Sequence, residues 1–556
     1  MNILFRPINN KVYEDSISNN NSEEVSELLA SRITKYDDIF VNLKLSNIPN
    51  PNLMKNCTYA AERIKQSIEN DENILIFTDY DADGCTSLCV LYSALTQIFG
   101  VSTTKIRALV GNRKMDGYGL NDKLVQQIID INPSLIITAD VGSSEHKEIE
   151  YLTSKNIDVI ITDHHVMPEI YPNAYTIVNP HQKGCGYDSR IAGCGVAWLI
   201  MLELNNICDI PHNNIYKLLD YVALGTVADV VSMLSPINRT FVKFGLEEIN
   251  TKNKCCWRII SDNIIDEETL AFQIGPLVNA SSRIAGIPYD SVMFLLAIDL
   301  KEAEKYYKKL IEYNNIRKQI EQEMTTIANT QHYDFENSII VYDKTFHSGV
   351  QGIVASKLTE KFNKPTIIFS GPDENGILHA SGRGGNSLNI INTLIEIDKL
   401  YPEILLSFGG HAAAIGLSMN IENFELFRKV FMEISIKYTI ELPDAIYIDK
   451  SLNKKRISLS LIKQYESLKP FGKDFPKPIF YDSMNVSFCK MVGKENPVHL
   501  MMTLNGTRAM KFFAIESPND QMPIHKNDVV NCIYRIGINE YNGRINPQII
   551  VESFVP

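Results

Sequence analysis

The chain has 556 residues and a net charge of −12, with 45% hydrophobic and 22% charged residues, the composition of a globular protein of three or four domains. No apolar run is long enough to span a bilayer and Met1 to Pro7 lacks the apolar stretch of a signal peptide, so a soluble, cytoplasmic chain is expected and a membrane partner is not. The ten cysteines form no CxxC pair and no zinc-ribbon spacing, which reads as reduced thiols used as small apolar side chains.

Residues 1 to about 50 include the polar tract Asn19 to Glu24 and carry no readable chemistry. From about 52 to 235 short apolar runs alternate with helical patterns: a helix near Cys57 to Glu69, a strand at Ile74, a helix from Thr86 to Ile98, a strand at Ile106 and a helix near Asp122 to Ile131. That alternation is the signature of a parallel α/β sheet. Helices and a turn at Asn279 to Arg283 follow, and Lys301 to Thr330, without Gly or Pro, predicts one long helix between two lobes. A second α/β lobe is expected over about 335 to 440, with strands at Ile339 to Tyr342 and Thr366 to Phe369, a helix from Val350 to Phe362, and Gly382, Gly384, Gly385, Gly409 and Gly410 at polar turns. From about 445, alternating runs such as Pro478 to Phe480, Val498 to Leu504 and Gln548 to Val551 suit a small β-barrel. The expected domains are 1–50, 51–300, a linker helix 301–334, 335–440 and 441–556.

Three acidic clusters follow apolar runs. Asp79-Tyr80-Asp81-Ala82-Asp83-Gly84 follows Ile74 to Phe77, Asp140 follows Leu135 to Ala139, and Asp163-His164-His165 follows Val159 to Thr162. Open parallel sheets place their ligand sites at such carboxyl ends. Asp229 comes later, after Leu224 to Ala228, and is expected to converge with the others on one crevice. So many carboxylates in one crevice repel each other unless they are protonated or hold cations. Carboxylates with imidazole and no thiolate favour Mn²⁺ or Mg²⁺.

In this order the four segments resemble the motifs of the DHH phosphoesterase superfamily. Asn279 to Arg283, His347 to Ala355, Ser381-Gly382-Arg383 and Gly409-Gly410-His411 resemble the DHH-associated half of RecJ-type single-strand DNA exonucleases, and Leu468 to Gly472 and Tyr541 to Arg544 resemble that family's OB-fold region. The resemblance implies two α/β lobes joined by a long helix and followed by an OB-fold barrel. It also implies a two-ion Mn²⁺ or Mg²⁺ centre in which Asp81 and Asp83 bind one metal each, Asp140 bridges, and His164 and Asp229 complete the shell. Asp79, Asp163 and His165 would fix ligand orientation or touch the scissile phosphate, with Asp79 a further candidate ligand and His165 a candidate catalytic group. Family members often carry His at the position of Phe77, so the first ion site here has one ligand fewer. Arg283, Ser381, Arg383 and His411 would grip DNA phosphates, and Asn112, Arg113 and Tyr118 would line the groove.

In the barrel region, Phe488, Phe512, Phe513, Tyr534 and Tyr541 interleave with Lys490, Lys494, Arg508, Lys511 and Arg535, as in OB-folds that stack bases on aromatics. Residues 441–556 hold 15 Lys and Arg against 12 Asp and Glu, a net of +3 in an acidic chain, so the global charge does not decide against nucleic acid. The implied activity is 5′→3′ hydrolysis of single-stranded DNA by a monomer, with a single-strand-binding protein or helicase as a possible partner. The alternatives are a DHH phosphodiesterase for short oligonucleotides or cyclic dinucleotides, a pyrophosphatase, and an idle single-strand-binding scaffold.

Overall fold

The computed structural model describes residues 2–331, 337–385, 387–440, 445–452, 457–493, 498–514, 524–541 and 543–555. The chain opens with strand β1 (Asn2–Phe5). The next five strands, β2 (Ile74–Thr78), β3 (Ile106–Val110), β4 (Leu135–Ala139), β5 (Asp158–Thr162) and β6 (Thr176–Val178), form one parallel sheet in the order β3-β2-β4-β5-β6. Strands β2 and β4 are buried at every position, as expected of a sheet covered by helices on both faces. The order reverses beside β2, and the carboxyl ends of β2, β4 and β5 lie side by side there, with Thr78 opposite Ala139 and Ala139 opposite Thr162. Acidic clusters far apart in the sequence are thereby brought to one rim.

Helix Leu300–Gln331 is continuous, as its lack of Gly and Pro predicts, and leads to a second sheet. Strands β7 (Ile339–Tyr342), β8 (Thr366–Ser370), β9 (Ile377–Arg383), β10 (Ser407–His411) and β11 (Ala414–Asn420) are ordered β10-β11-β9-β8-β7, with only β7 and β8 parallel. Gly382, Gly409 and Gly410 lie within β9 and β10 and not in turns. Both sheets and the long helix belong to one compact unit, residues 50–229 and 245–443.

The other compact unit combines residues 1–49, 230–244 and 444–556. Strand β12 (Ala445–Ile448) pairs in parallel with β1. Five further strands, β13 (Phe480–Val492), β14 (His499–Leu504), β15 (Thr507–Lys511), β16 (Val529–Tyr541) and β17 (Arg544–Val555), close a barrel in the order β13-β14-β15-β17-β16, the five-stranded OB architecture. The polar N-terminal segment is therefore part of the barrel's own unit, and the barrel region also contains a helix, Leu459–Glu466, absent from the strand-only expectation. Arg239 is fully buried here: its guanidinium donates to the carbonyls of Pro470 at 2.9 Å, Leu468 at 2.8 Å and Phe40 at 3.3 Å, and lies 4.5 Å from the Phe475 ring centroid. Arg32 is paired with Asp449. Three carbonyl acceptors and an aromatic face offset the cost of burying the Arg239 charge.

Among the barrel aromatics, Tyr534 is fully buried and donates to Asp482, whereas Phe488, Phe512 and Phe513 are 44%, 49% and 76% exposed. Lys494, Asn542, the Tyr541 side chain and the boundary at 441 lie outside the described residues. No helix among the described residues is long and apolar enough to cross a membrane.

Candidate active site

Asp81 caps the helix Ala82–Ser93, which starts four residues earlier than the expected Thr86; its Oδ1 accepts from the amides of Asp83 at 2.8 Å and Gly84 at 3.1 Å. The strand-to-helix turn after β2 thus points three aspartates at one rim. Asp83 is buried and both its oxygens are fixed: Oδ2 accepts from the amide of Gly193 at 2.7 Å and Oδ1 from that of Cys194 at 2.9 Å, at the first turn of helix Gly193–Ile207. Helix N-termini favour such carboxylates. Glycine is needed at two contacts, because a Cβ at Gly193 would sit 2.8 Å from Asp140 Cβ, and one at Gly225 would sit 2.9 Å from Asp83 Oδ1.

Asp140 follows β4 with φ at 62°, in the left-handed region. The Tyr118 hydroxyl donates to its carbonyl at 3.3 Å. His164 Nε2 lies 3.1 Å from Asp140 Oδ1, 3.7 Å from Asp83 Oδ2 and 3.8 Å from Asp229 Oδ2. Asp229 caps the C-terminus of helix Leu219–Ala228; the fourth cluster comes from a helix end and not from a strand end. Three overlapping ion-sized trios result among the described residues, Asp79 with Asp81 and Asp140, Asp83 with His164 and Asp229, and Asp140 with His164 and His165, each with its donor atoms within 4.8 Å of one another.

Electrostatics favour a cation. Burial, then the charge of Asp81, pushes the Asp79 carboxyl well up; burial, then Asp83, Asp81 and Asp79, does the same at Asp140; and burial raises Asp83. Burial lowers His164, keeping its imidazole neutral and able to ligate. A hard cation reverses the penalty on the carboxylates, so the donor set fits Mn²⁺ or Mg²⁺.

Asp163 is buried and behaves differently. Its Oδ1 accepts from the amides of His164 at 2.7 Å and His165 at 3.1 Å and from His165 Nδ1 at 2.8 Å, and its Oδ2 from the Ser143 amide at 3.1 Å. Burial works against ionisation, but these bonds and the His165 charge hold the carboxyl well below its usual range. Burial alone would lower His165, yet Asp163 raises it to about 9. Asn179, fully buried just after β6, donates to Ser143 Oγ at 3.0 Å and to the His165 carbonyl at 2.9 Å. Asn179, Ser143, Gly193 and Cys194 escaped the sequence reading. A polar residue at a strand end, Thr176-Ile177-Val178-Asn179, is the same signal that revealed Asp140, and Gly193-Cys194-Gly195 marks a helix start.

Phe77 is buried in an apolar cluster with Leu120, Leu124, Val141 and Ile161. Arg283 lies in helix Gly275–Ala285 rather than a turn, and donates to the Gly349 carbonyl at 3.0 Å. Burial and the nearby Arg113, Arg317 and Arg383 lower its pKa, and burial and Arg113 lower that of Arg383. Converging arginines of this kind suit an anion. Arg383 donates to Ser381 Oγ at 3.2 Å. Ala414 pairs with Arg383 on one side and His411 on the other, so the three stand in one cross-strand row, with His411 on the exposed edge strand. Arg113 lies over the Tyr80 ring at 4.8 Å, and the Arg113 amide donates to the Gly286 carbonyl at 2.7 Å, close to Arg283.

These features define a DHH-type phosphoesterase. Residues 73–226 match the DHH family N-terminal domain, 336–435 the DHHA1 domain and 448–553 the RecJ OB domain. Within that class the chain belongs to the family of single-stranded-DNA-specific exonuclease RecJ. It is 32% identical to the RecJ of Escherichia coli, covering 89% of this chain and 90% of the relative, and 31% identical to that of Haemophilus influenzae, covering 92% of each. The crystal structure of RecJ in complex with Mn²⁺ from Thermus thermophilus shares the fold, with TM-score 0.83 and 22% identity, covering all of this chain and 79% of that one.

Proposed function

We infer that the chain is a metal-dependent exonuclease of single-stranded DNA, using Mn²⁺ or Mg²⁺ and working in the 5′→3′ direction. The observation that carries this reading is the convergence of Asp79, Asp81, Asp83, Asp140 and Asp229 around His164, in a chain that belongs to the RecJ family.

In this reading Asp79, Asp81 and Asp140 would hold one ion, and Asp83, His164 and Asp229 the other, with Asp140 also close to His164 and His165. Bound divalent ions supply positive charge against the phosphoryl oxygens and a lowered pKa for the attacking water. Asp163 orients His165 through Nδ1, leaving Nε2–H to donate to a phosphate oxygen, and Gly193 and Cys194 lock the Asp83 carboxylate. Arg283, Ser381, Arg383 and His411 bind phosphates of the strand, with Arg113 beside them. The functional domains are 51–300 for chemistry, 335–440 for phosphate grip and 441–556 for strand binding, with 301–334 as the linking helix. The enzyme acts in the cytoplasm as a monomer, on strands released by a helicase or coated by a single-strand-binding protein.

Digestion of end-labelled single-stranded and double-stranded DNA and RNA in Mn²⁺, Mg²⁺ or EDTA tests the reading. Metal-dependent release of the 5′ label first, from single-stranded DNA, is expected. Metal-independent hydrolysis, or preference for blunt duplex, would refute it.

A further inference from the structure

Tyr118 stands in the connection between β3 and helix Asp122–Ile131, flanked by Gly117 and Gly119 at φ of 74° and 84°, both in the left-handed region. Its hydroxyl reaches the Asp140 carbonyl at 3.3 Å and lies 3.2 Å from His165 Nδ1, and its ring is edge-on to that of His165 with centroids 5.6 Å apart. The turn that presents this tyrosine also rests on a carboxyl group. A Cβ at Gly119 would overlap Glu145 Oε1 and stand 3.2 Å from Glu145 Cδ, so the carboxyl fills the space that any other residue at 119 would need.

Glu145 immediately precedes helix His146–Ser154 and is buried. Its Oε2 accepts from the Ser144 amide at 3.0 Å, and among the described residues no Lys, Arg or His pairs with it. The titratable groups that face it are Asp163 from the end of β5, itself bonded to His165, Glu148 from its own helix, and Tyr118 from the turn. A buried carboxylate with such neighbours is costly, whereas the neutral acid is not. Burial, then Asp163 and Glu148, raise its pKa from 4.5 to about 7 against the pull of the Ser144 amide. We propose that Glu145 is the positioning residue for Tyr118: its carboxyl, wedged beneath Gly119, seats the Gly117–Tyr118–Gly119 turn, firmly while it is neutral and loosely once it is charged. This rests on the single-strand nuclease reading, in which Tyr118 lines the groove, and adds a proton-sensitive control of how that groove meets the strand. The contribution of Glu145 to stability is fully present below about pH 4.5 and is lost as pH rises through about 7.

Hydrogen exchange of the full-length, Mn²⁺-loaded protein, followed by mass spectrometry on peptides spanning Gly111 to Leu120 and corrected for the intrinsic effect of pH, tests it without an activity assay. Protection of this segment in the parent should fall several-fold between about pH 5.5 and about pH 8.5, and Glu145→Gln, which keeps the shape without the charge, should hold it high across the range. Glu145→Ser, which removes the wedge, should leave protection low at both ends. Protection in the parent that does not change with pH, or that falls equally in Glu145→Gln, would overturn the proposal. Hydrolysis of single-stranded DNA adds a second readout: KM of the parent relative to Glu145→Gln should rise several-fold over the same range while relative kcat stays flat. A pH-dependent change in relative kcat alone would assign Glu145 to the chemical step and not to positioning. Should Glu145→Gln fail to fold by circular dichroism, the parent profile and Glu145→Ser decide: high protection in Glu145→Ser at either end removes the wedge. A protein that hydrolyses no single strand would defeat the nuclease reading, whereas exchange insensitive to Glu145 defeats this proposal alone.

Discussion

His165 Nδ1 and Asp163 Oδ1 lie 2.8 Å apart, and this pair sets the charge beside the metal centre. His165 is raised from 6.5 to about 9, so its contribution to stability is fully present below about pH 6.5 and is lost as pH rises through 9. Asp163 is lowered from 3.8, so its contribution is present above that value and fades as pH falls through the lowered one. Melting temperature measured across pH should therefore fall at both ends. Hydrolysis should decline above about pH 9, and His165→Gln should abolish that limb and slow turnover by roughly 10²-fold or more. An unchanged alkaline limb in the variant would remove His165 from the reaction.

Asp140→Ala and Asp83→Asn should lower hydrolysis by more than ~10²-fold, beyond what loss of an outer partner costs, while single-strand binding stays nearly intact. Activity lost in chelator should return with Mn²⁺. Substantial turnover in both variants, measured by nucleotide release, would contradict the ligand assignment.

Gly225→Ala isolates the crowding around Asp83. The added Cβ would fall 2.3 Å from Thr86 Oγ1 and 2.5 Å from Cys194 Sγ, an overpacking penalty of about 1–3 kcal/mol. Activity should drop more steeply than melting temperature suggests, because the displaced group includes Asp83, a proposed metal ligand. Full activity in a normally folded variant would show that this packing does not position Asp83.

Removing the chain beyond Leu442, which itself lies outside the described residues, would not lift away the barrel cleanly. Arg239 would lose its acceptors at Leu468 and Pro470, and β1 would lose its partner β12. Stranding a buried charge costs about 3–5 kcal/mol, so the truncated protein should show exposed apolar surface and a lowered melting temperature. Point changes separate strand binding from folding better: Phe488→Ala and Phe513→Ala should each weaken long single-strand affinity by ~1–3 kcal/mol with the melting temperature unchanged. Tyr534→Ala, by contrast, should act on stability, because its hydroxyl donates to the buried Asp482.

The rim of β2, β4 and β5 was legible because a buried parallel strand is a short apolar run and whatever follows it stands at the ligand edge. Asp229 was recognisable by order, but its place at a helix end was not, since Leu224 to Ala228 is apolar enough for either state. The Asn279 to Arg283 segment reads as a turn from its polar residues, yet tertiary packing carries the helix through it. Pairing of β1 with β12 joins segments more than four hundred residues apart, and no local pattern encodes such a partner. The Ser143–Asn179 bonds were hidden for the same reason: each is a neutral side chain whose role exists only once the strand ends are side by side.

The left-handed backbone at Asp140 places activity and foldedness in opposition at a single codon. Most L residues are strained at φ of 62°, aspartate less than others, and glycine would occupy it freely. Asp140→Gly should therefore give a chain that folds at least as well as Asp140→Ala and has no nuclease activity. At this position the backbone itself sets no barrier to losing the carboxylate.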